Sequence, residues 1–307
     1  MAKREGRNAR SLVVKAPAKI NLCLEVLGRR RDGYHEIRTI MQAVGLYDEL
    51  SFRERPDRRI VLTASGRGLP PPEQNLVFRA ARLIQERFAP SRGAAIHLKK
   101  AIPTGGGLGG GSSDAAATLR ALNGLWALHL DAQQLQSLAA ELGSDVPFFV
   151  RGGTALCEGR GERVTPLPVA ATFHYVLAMP PFPTSTRAVY GALAADLTSA
   201  RRKDRIGVLQ SALMTGDSGR LGRGLYNDLQ AAAFRVSPGL RRFGESLAGV
   251  VRRRGSCGFS LSGSGSSFFV LFGSPDEPRA EAKRLAETLD ISTLAVPSLA
   301  AEVIGKS

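Results

Sequence analysis

A chain of 307 residues is long for one small module and, at roughly 100–200 residues per domain, predicts two domains. Hydrophobic residues supply 43% and charged residues 22%, the balance of a folded protein, and no apolar run approaches the roughly 20 residues that cross a bilayer. Lys and Arg number 42 against 27 Asp and Glu, a net charge of +15, which attracts polyanions, either nucleic acid or nucleotides.

The chain opens on a basic tail over residues 1–11, and the apolar stretch after it stops at Lys15. That is too short for a secretory core or an organelle transit peptide, so a cytoplasmic protein with no membrane partner is expected. Ile20, Leu22, Leu24 and Val26 then alternate with Lys19, Asn21, Cys23 and Glu25. The period is that of a half-buried strand, with Lys19 and Asn21 together on the face away from the core. Residues 95–102 alternate again, Ile96 and Leu98 against His97 and Lys99, and run into Pro103 and a glycine loop. Beyond the loop, Ala115, Leu119, Leu122 and Trp126 fall at helical spacing. Asp131 with Gln134 three residues on is a capping-box pattern. Leu135, Leu138, Ala139 and Leu142 give that helix its buried face, and Gly143 ends it. Phe148-Phe149-Val150 reads as a strand.

Composition shifts at Thr165-Pro166-Leu167-Pro168, the predicted boundary between domains at 1–165 and 166–307. In the second part, strands are predicted over 175–178, 259–261, 268–272 and 293–296. Helices are predicted over 186–197 and 279–289, and from Ser237-Pro238, a preferred N-cap and first-position pair, to Gly255. Strands and helices mix in both halves, so the class is α+β or α/β. Cys23, Cys157 and Cys257 form no C-x-x-C pair, and the four histidines show no paired spacing. Neither a disulfide framework nor a zinc or other transition-metal centre is expected.

The sharpest feature is Pro103-Thr104-Gly105-Gly106-Gly107-Leu108-Gly109-Gly110-Gly111-Ser112-Ser113-Asp114. Glycines remove the side chains that keep a bound group away from backbone amides. A helix starting at Ser112 or Ser113 adds the positive end of its dipole, and the combination is a phosphate site. A flexible linker is the bland alternative, but linkers do not stand between a strand and an Ala-rich amphipathic helix. The loop is not G-x-x-x-x-G-K-[ST], which excludes a P-loop. Gly105, Gly107 and Gly110 satisfy G-x-G-x-x-G, with Asp131 about 20 residues past the loop. In so glycine-rich a loop some register must fit, and Asp131 serves better as a helix cap. Neither H-R-D nor D-F-G occurs, so the protein-kinase set is missing.

Pro103, Gly107-Leu108-Gly109 and Ser112-Ser113 before the Ala-rich helix resemble the second motif of the GHMP kinases, the small-molecule kinases named for galactose, homoserine, mevalonate and phosphomevalonate. Ala16-Pro17-Ala18-Lys19-Ile20-Asn21-Leu22 and Ser262-Gly263-Ser264-Gly265-Ser266-Ser267 resemble the first and third motifs. Ser266-Ser267 stands where the family usually shows Gly-Gly, and the basic tail is an addition to it. Asp32-Gly33-Tyr34-His35-Glu36, Gly143-Ser144-Asp145-Val146-Pro147-Phe148-Phe149-Val150, Glu158-Gly159-Arg160-Gly161-Glu162 and Asn227-Asp228-Leu229 look like one branch of that family. Its members phosphorylate the 2-hydroxyl of a cytidine-diphosphate-linked methylerythritol in the non-mevalonate isoprenoid route.

The resemblance implies an α+β, two-domain GHMP kinase fold: an N-terminal ATP-binding α/β domain and a C-terminal ferredoxin-like α/β sandwich, with substrate in the cleft between. It implies ATP as co-substrate held by the loop from Pro103 to Ser113, and Mg²⁺ held mainly by phosphates and waters. Ser112 or Ser113 is the nearest to a metal oxygen ligand, and no dedicated one is expected. Phosphoryl transfer through a loose transition state rests on positioning and cations, and a carboxylate must take the hydroxyl proton. Asp145 is implied as that base and Lys19 as the activating cation. Taken alone, the first is a turn-stabilising Asx residue and the second a solvated edge charge. Tyr34 and Tyr190 are implied as a pair stacking on cytosine, and His35 as the donor or acceptor to its edge. Stacking contributes roughly 1–3 kcal/mol per base, so the rings anchor and His35 discriminates. Asn21 and Thr186 are implied polar contacts to the same substrate.

A homoserine, mevalonate or sugar substrate has no base to stack and would leave Tyr34, His35 and Tyr190 without purpose. A nucleic-acid partner is not expected, since only 6% of residues are aromatic and no RNP-type motif is present. A monomer or weak dimer is expected.

Overall fold

The computed structural model describes residues 11–66, 69–193, 205–252 and 255–301. Two long strands, β1 (Ser11–Arg29) and β2 (His35–Arg55), form an antiparallel hairpin. They are followed by β3 (Ile60–Ser65), α1 (Leu76–Phe88) and β4 (Gly93–Lys99). Then come α2 (Gly110–Leu125), α3 (Ala132–Leu142), α4 (Val146–Arg151), β5 (Thr154–Gly159) and β6 (Arg163–Pro166). Local chemistry sets several boundaries. Asn75 Oδ1 accepts from Val77 N at 2.9 Å to start α1, and Asp131 and Gln134 close the expected capping box on α3.

The chain continues through β7 (His174–Met179), α5 (Thr186–Gly191), α6 (Arg205–Thr215) and α7 (Ser218–Gly224). A short β8 (Tyr226–Asn227) precedes α8 (Gln230–Val236), α9 (Pro238–Arg252), β9 (Gly258–Leu261) and β10 (Phe268–Phe272). The last elements are α10 (Glu277–Leu289) and β11 (Ser292–Pro297). The first sheet runs β3-β4-β2-β1-β8, with β5 bridging β2 and β6; the second runs β11-β7-β10-β9. In chain order the second is 4-1-3-2 and antiparallel throughout, the ferredoxin-like layout.

The half-buried reading of β1 is corrected. Residues 16–26 are buried on both faces, and Lys19, Asn21 and Glu25 keep 3%, 1% and 2% of their exposure. One face packs under the helices, where Ala16, Phe52, Leu119 and Phe148 share a core. The other lies against the second sheet, where Ile20 and Leu22 meet Tyr175 and Phe269. Alternation reports which residues are polar, not whether a second layer covers them.

Two further expectations fail for local reasons. Phe148-Phe149-Val150 lies in α4, a single helical segment with Pro147 in its first turn and Gly152 (φ +66°) after it. Three apolar residues carry no period that separates strand from buried helix. Helix α2 begins at Gly110, not at Ser112 or Ser113, because Gly109 takes the left-handed N-cap position (φ +71°). Helix α5 stops at Gly191, and residues 194–197 of the longer helix expected there lie outside the described residues. No described helix is long and apolar enough to cross a membrane.

Candidate active site

The glycine loop is built by interlocking. Asp48 Oδ1 accepts from Ala101 N (2.6 Å) and Ile102 N (2.9 Å), pinning the chain as it leaves β4. Gly107 follows with φ +75°, and a Cβ there would stand 2.1 Å from Ser262 O. Only glycine fits. Ser262 Oγ donates to Gly107 O (2.9 Å) and Ser267 N to Gly106 O (3.0 Å), so the serine loop between β9 and β10 grips the glycine loop from the second sheet. The backbone N–H of Lys19 donates to Leu108 O at 2.9 Å, tying β1 to the same loop. No side chain caps α2, which leaves its first-turn amides and dipole for an anion.

Lys19 projects from β1 beneath this loop. Its Nζ donates to Asn21 Oδ1 at 2.7 Å and lies 3.4 Å from Asp145 Oδ2. Asn21 in turn donates to Thr39 Oγ1 at 2.8 Å, which fixes the orientation of its amide. Asp145 stands at the N-cap of α4 but makes no capping hydrogen bond, and its side chain is 31% exposed. The Asx-turn reading therefore fails, and the carboxylate is directed to Lys19.

A cavity of about 1560 Å³ unites these groups. Lys19, Asn21, Tyr34, His35, residues 103–112, Asp145, Thr186 and Tyr190 all line it. Ser113 does not: its Oγ is buried beneath the loop without a hydrogen-bond partner. At the end away from the glycine loop, the His35 ring lies on Tyr190 with centroids 4.9 Å apart and planes 31° apart. Tyr34 is exposed, with the Arg160 guanidinium 4.9 Å over its ring. The two tyrosines are thus covered by different partners. Burial, helped by the Arg29 charge, holds the His35 imidazole below its ordinary value. Burial, helped by the Asp145 charge, pushes the Tyr190 phenol up. Thr186 Oγ1 is 2.9 Å from Ser264 Oγ in the serine loop.

Sequence reasoning missed the groups under the loop. Lys100 Nζ donates to Asp48 and, at 2.8 Å, to Asp114 Oδ2. Lys100 and Asp114 both line the cavity. Burial, with the neighbouring Asp48 carboxylate, raises the Asp114 carboxyl to about 7 against the pull of Lys100. In sequence Lys100 merely ends an alternating strand, so nothing distinguishes it from a solvated charge. Arg29, Asp32, Arg160 and Arg187 at the other end were missed as well; of these, Asp32 and Arg160 fell inside motifs that had drawn attention. Among the described residues no group of three or more His, Cys, Asp or Glu is placed to hold a metal.

Comparison with known proteins agrees with this geometry. The GHMP kinases N terminal domain matches residues 75–153, and the GHMP kinases C terminal domain matches residues 209–291. The 4-diphosphocytidyl-2-C-methyl-D-erythritol kinase of Caldicellulosiruptor bescii is 40% identical over 272 residues, covering 89% of this chain and 93% of that protein. The one from Exiguobacterium sibiricum is 41% identical over 261 residues, 85% and 89% of the two chains. A crystal structure of 4-(cytidine 5'-diphospho)-2C-methyl-D-erythritol kinase superposes with a TM-score of 0.77 at 36% identity, covering 94% of this chain and 99% of the other. Homoserine kinase from Cytophaga hutchinsonii, at 22% identity and a TM-score of 0.74, shares the fold. The chain belongs to the GHMP kinases and, within them, to the 4-diphosphocytidyl-2-C-methyl-D-erythritol kinase family.

Proposed function

We propose that the protein transfers the γ-phosphate of ATP to the 2-hydroxyl of 4-diphosphocytidyl-2-C-methyl-D-erythritol, in the cytoplasm and on the non-mevalonate route to isoprenoid precursors. The observation that carries this reading is the Lys19–Asp145 pair at 3.4 Å. It lies between an uncapped helix N-terminus and an aromatic end, all in one cavity.

The residues present fit a triphosphate. Gly105, Gly107 and Gly109 turn the loop with positive φ, and a Cβ at Gly105 would meet nothing within 4 Å, so the backbone is open to a ligand there. The first-turn amides of α2 hold the phosphate oxygens, and Lys100 adds a buried cation below. Mg²⁺ would be held mainly by the phosphates and waters, with Ser112 able to offer an oxygen, and would neutralise the phosphate charge. Asp145 accepts the proton of the acceptor hydroxyl as its oxygen bonds to the γ-phosphorus and the bond to the β-phosphate oxygen breaks, releasing ADP. Lys19 stabilises charge on the oxygens passing between donor and acceptor.

Selection of the acceptor falls to the far end. Tyr190 and Tyr34 offer faces to a pyrimidine, and a neutral His35 offers one donor and one acceptor to its edge. Asn21 and Thr186 contact the polyol. The test offers purified protein γ-labelled ATP and Mg²⁺ with the cytidine-linked alcohol, homoserine, mevalonate and galactose in parallel. Label is expected in the cytidine-linked alcohol; label in another acceptor, or in none, ends this assignment.

A further inference from the structure

The segment Asn227-Asp228-Leu229 joins the serine loop to β1, the strand that carries Lys19. Asn227 lies on β8, which pairs in parallel with β1 at Cys23 and Leu24. Its Nδ2 donates to Leu261 O (2.8 Å) and to Gly263 O (2.7 Å), and its Oδ1 accepts from Leu229 N (2.8 Å). Both amide hydrogens are engaged at once, one at the end of β9 and one on the serine loop. Asp228 grips the other side: its N donates to Leu24 O and its Oδ2 accepts from Val26 N, both at 2.9 Å.

The clip spans a close approach. Gly263 takes φ +56°, and a Cβ on it would stand 3.3 Å from Lys19 Nζ, 3.5 Å from Asn21 Oδ1 and 3.3 Å from Gly107 O. Gly263, Ser264 and Gly265 line the cavity. A shift of the serine loop relative to β1 therefore changes the space around the Lys19 ammonium. We infer that Asn227 is a positioning residue for phosphoryl transfer: its carboxamide sets how closely the serine loop packs on Lys19, and so where the ammonium stands beside the transferred group. A carboxamide is required because two carbonyls and one N–H must be satisfied by a single planar group. A carboxylate would turn acceptors toward both carbonyls.

This inference rests on the kinase reading above, and the experiment separates the two. The full chain and its Asn227→Asp variant are compared by steady-state kinetics with ATP and the cytidine-linked alcohol, alongside Leu213→Ala. Leu213 is buried on α6 away from the cavity and reports general destabilisation. Misplacement on the ångström scale costs up to about 10²-fold, so Asn227→Asp is expected to lose roughly 10–100-fold in kcat with both KM values within about 3-fold. Its kcat relative to wild type should recover as pH is lowered, because a protonated carboxyl regains one donor. Should that variant fail to fold, Asn227→Ser, which keeps one donor, is measured instead. A kcat loss no larger than that of Leu213→Ala at matched folded fraction, or a loss carried by KM, overturns the positioning role. An inactive wild type overturns the kinase reading instead.

Discussion

Lys19 Nζ stands 3.4 Å from Asp145 Oδ2, an ion pair that joins the middle of β1 to the residue immediately before α4. The ammonium is nearly buried while the carboxylate keeps about a third of its exposure, so the pair presents its acidic member to the cavity. Asn21 takes the other side of the ammonium at 2.7 Å.

Replacing Asp145 by Asn keeps the shape and removes the proton acceptor. General-base catalysis contributes about 10²–10⁴-fold, and kcat is expected to fall by that order with KM for both substrates near the wild-type value. Steady-state kinetics decide it; a variant retaining a large fraction of wild-type kcat removes Asp145 from the role of base.

Substituting His35 by Ala acts at the opposite end. KM for the cytidine-linked alcohol is expected to rise more than KM for ATP. The wild-type imidazole is held neutral by burial, so lowering the pH toward its depressed value protonates it, removes its acceptor nitrogen and raises the same KM. The variant should lack that acid limb, and equal effects on both substrates would exclude His35 from the base pocket.

Glycines in the loop differ in what surrounds them. Gly105 and Gly107 have φ of +74° and +75°, but a Cβ on Gly105 meets nothing within 4 Å while one on Gly107 meets Ser262 O at 2.1 Å. Gly105→Ala should cost only the backbone strain of about 1–3 kcal/mol. Gly107→Ala should cost more and also separate the two loops, so thermal unfolding should place its Tm clearly below that of Gly105→Ala. Equal Tm losses would disprove the interlock.

Asp114 makes stability depend on pH in a stated direction. Its carboxyl, raised from 3.8 to about 7 in the fold, binds a proton in the native state over a range where the unfolded chain has lost it. The stability this contributes is present below about 3.8 and is lost as pH rises through about 7. Asp114→Asn removes that dependence while leaving Asp48 as a partner for Lys100. The Tm of the variant minus that of wild type should therefore increase between pH 5 and pH 8, read by calorimetry; a difference that is flat or falls over that range contradicts the assignment.

Features decided by nearest neighbours in the chain were legible beforehand. The capping box at Asp131 and Gln134, the strand leading to Pro103 and the helix beginning at Ser237-Pro238 depend on contacts within a few residues. The glycine loop announced itself because no other residue type permits that backbone path. Resemblance then supplied Lys19, Asp145, Tyr34, His35, Asn21, Thr186 and Tyr190, and folding brings all of them to one cavity.

What escaped depends on layers. The polar face of β1 looked solvated because alternation carries no record of the second sheet that covers it. Phe148-Phe149-Val150 was too short to reveal helix from strand. Lys100 and Asp48, or Arg160 and Tyr34, meet only after distant segments cross. Amino-acid order thus determined the backbone of the phosphate loop and the chemical groups available. Tertiary packing alone decided which charges lost their water and whose field they feel, because burial and Coulomb interaction depend on distance in space.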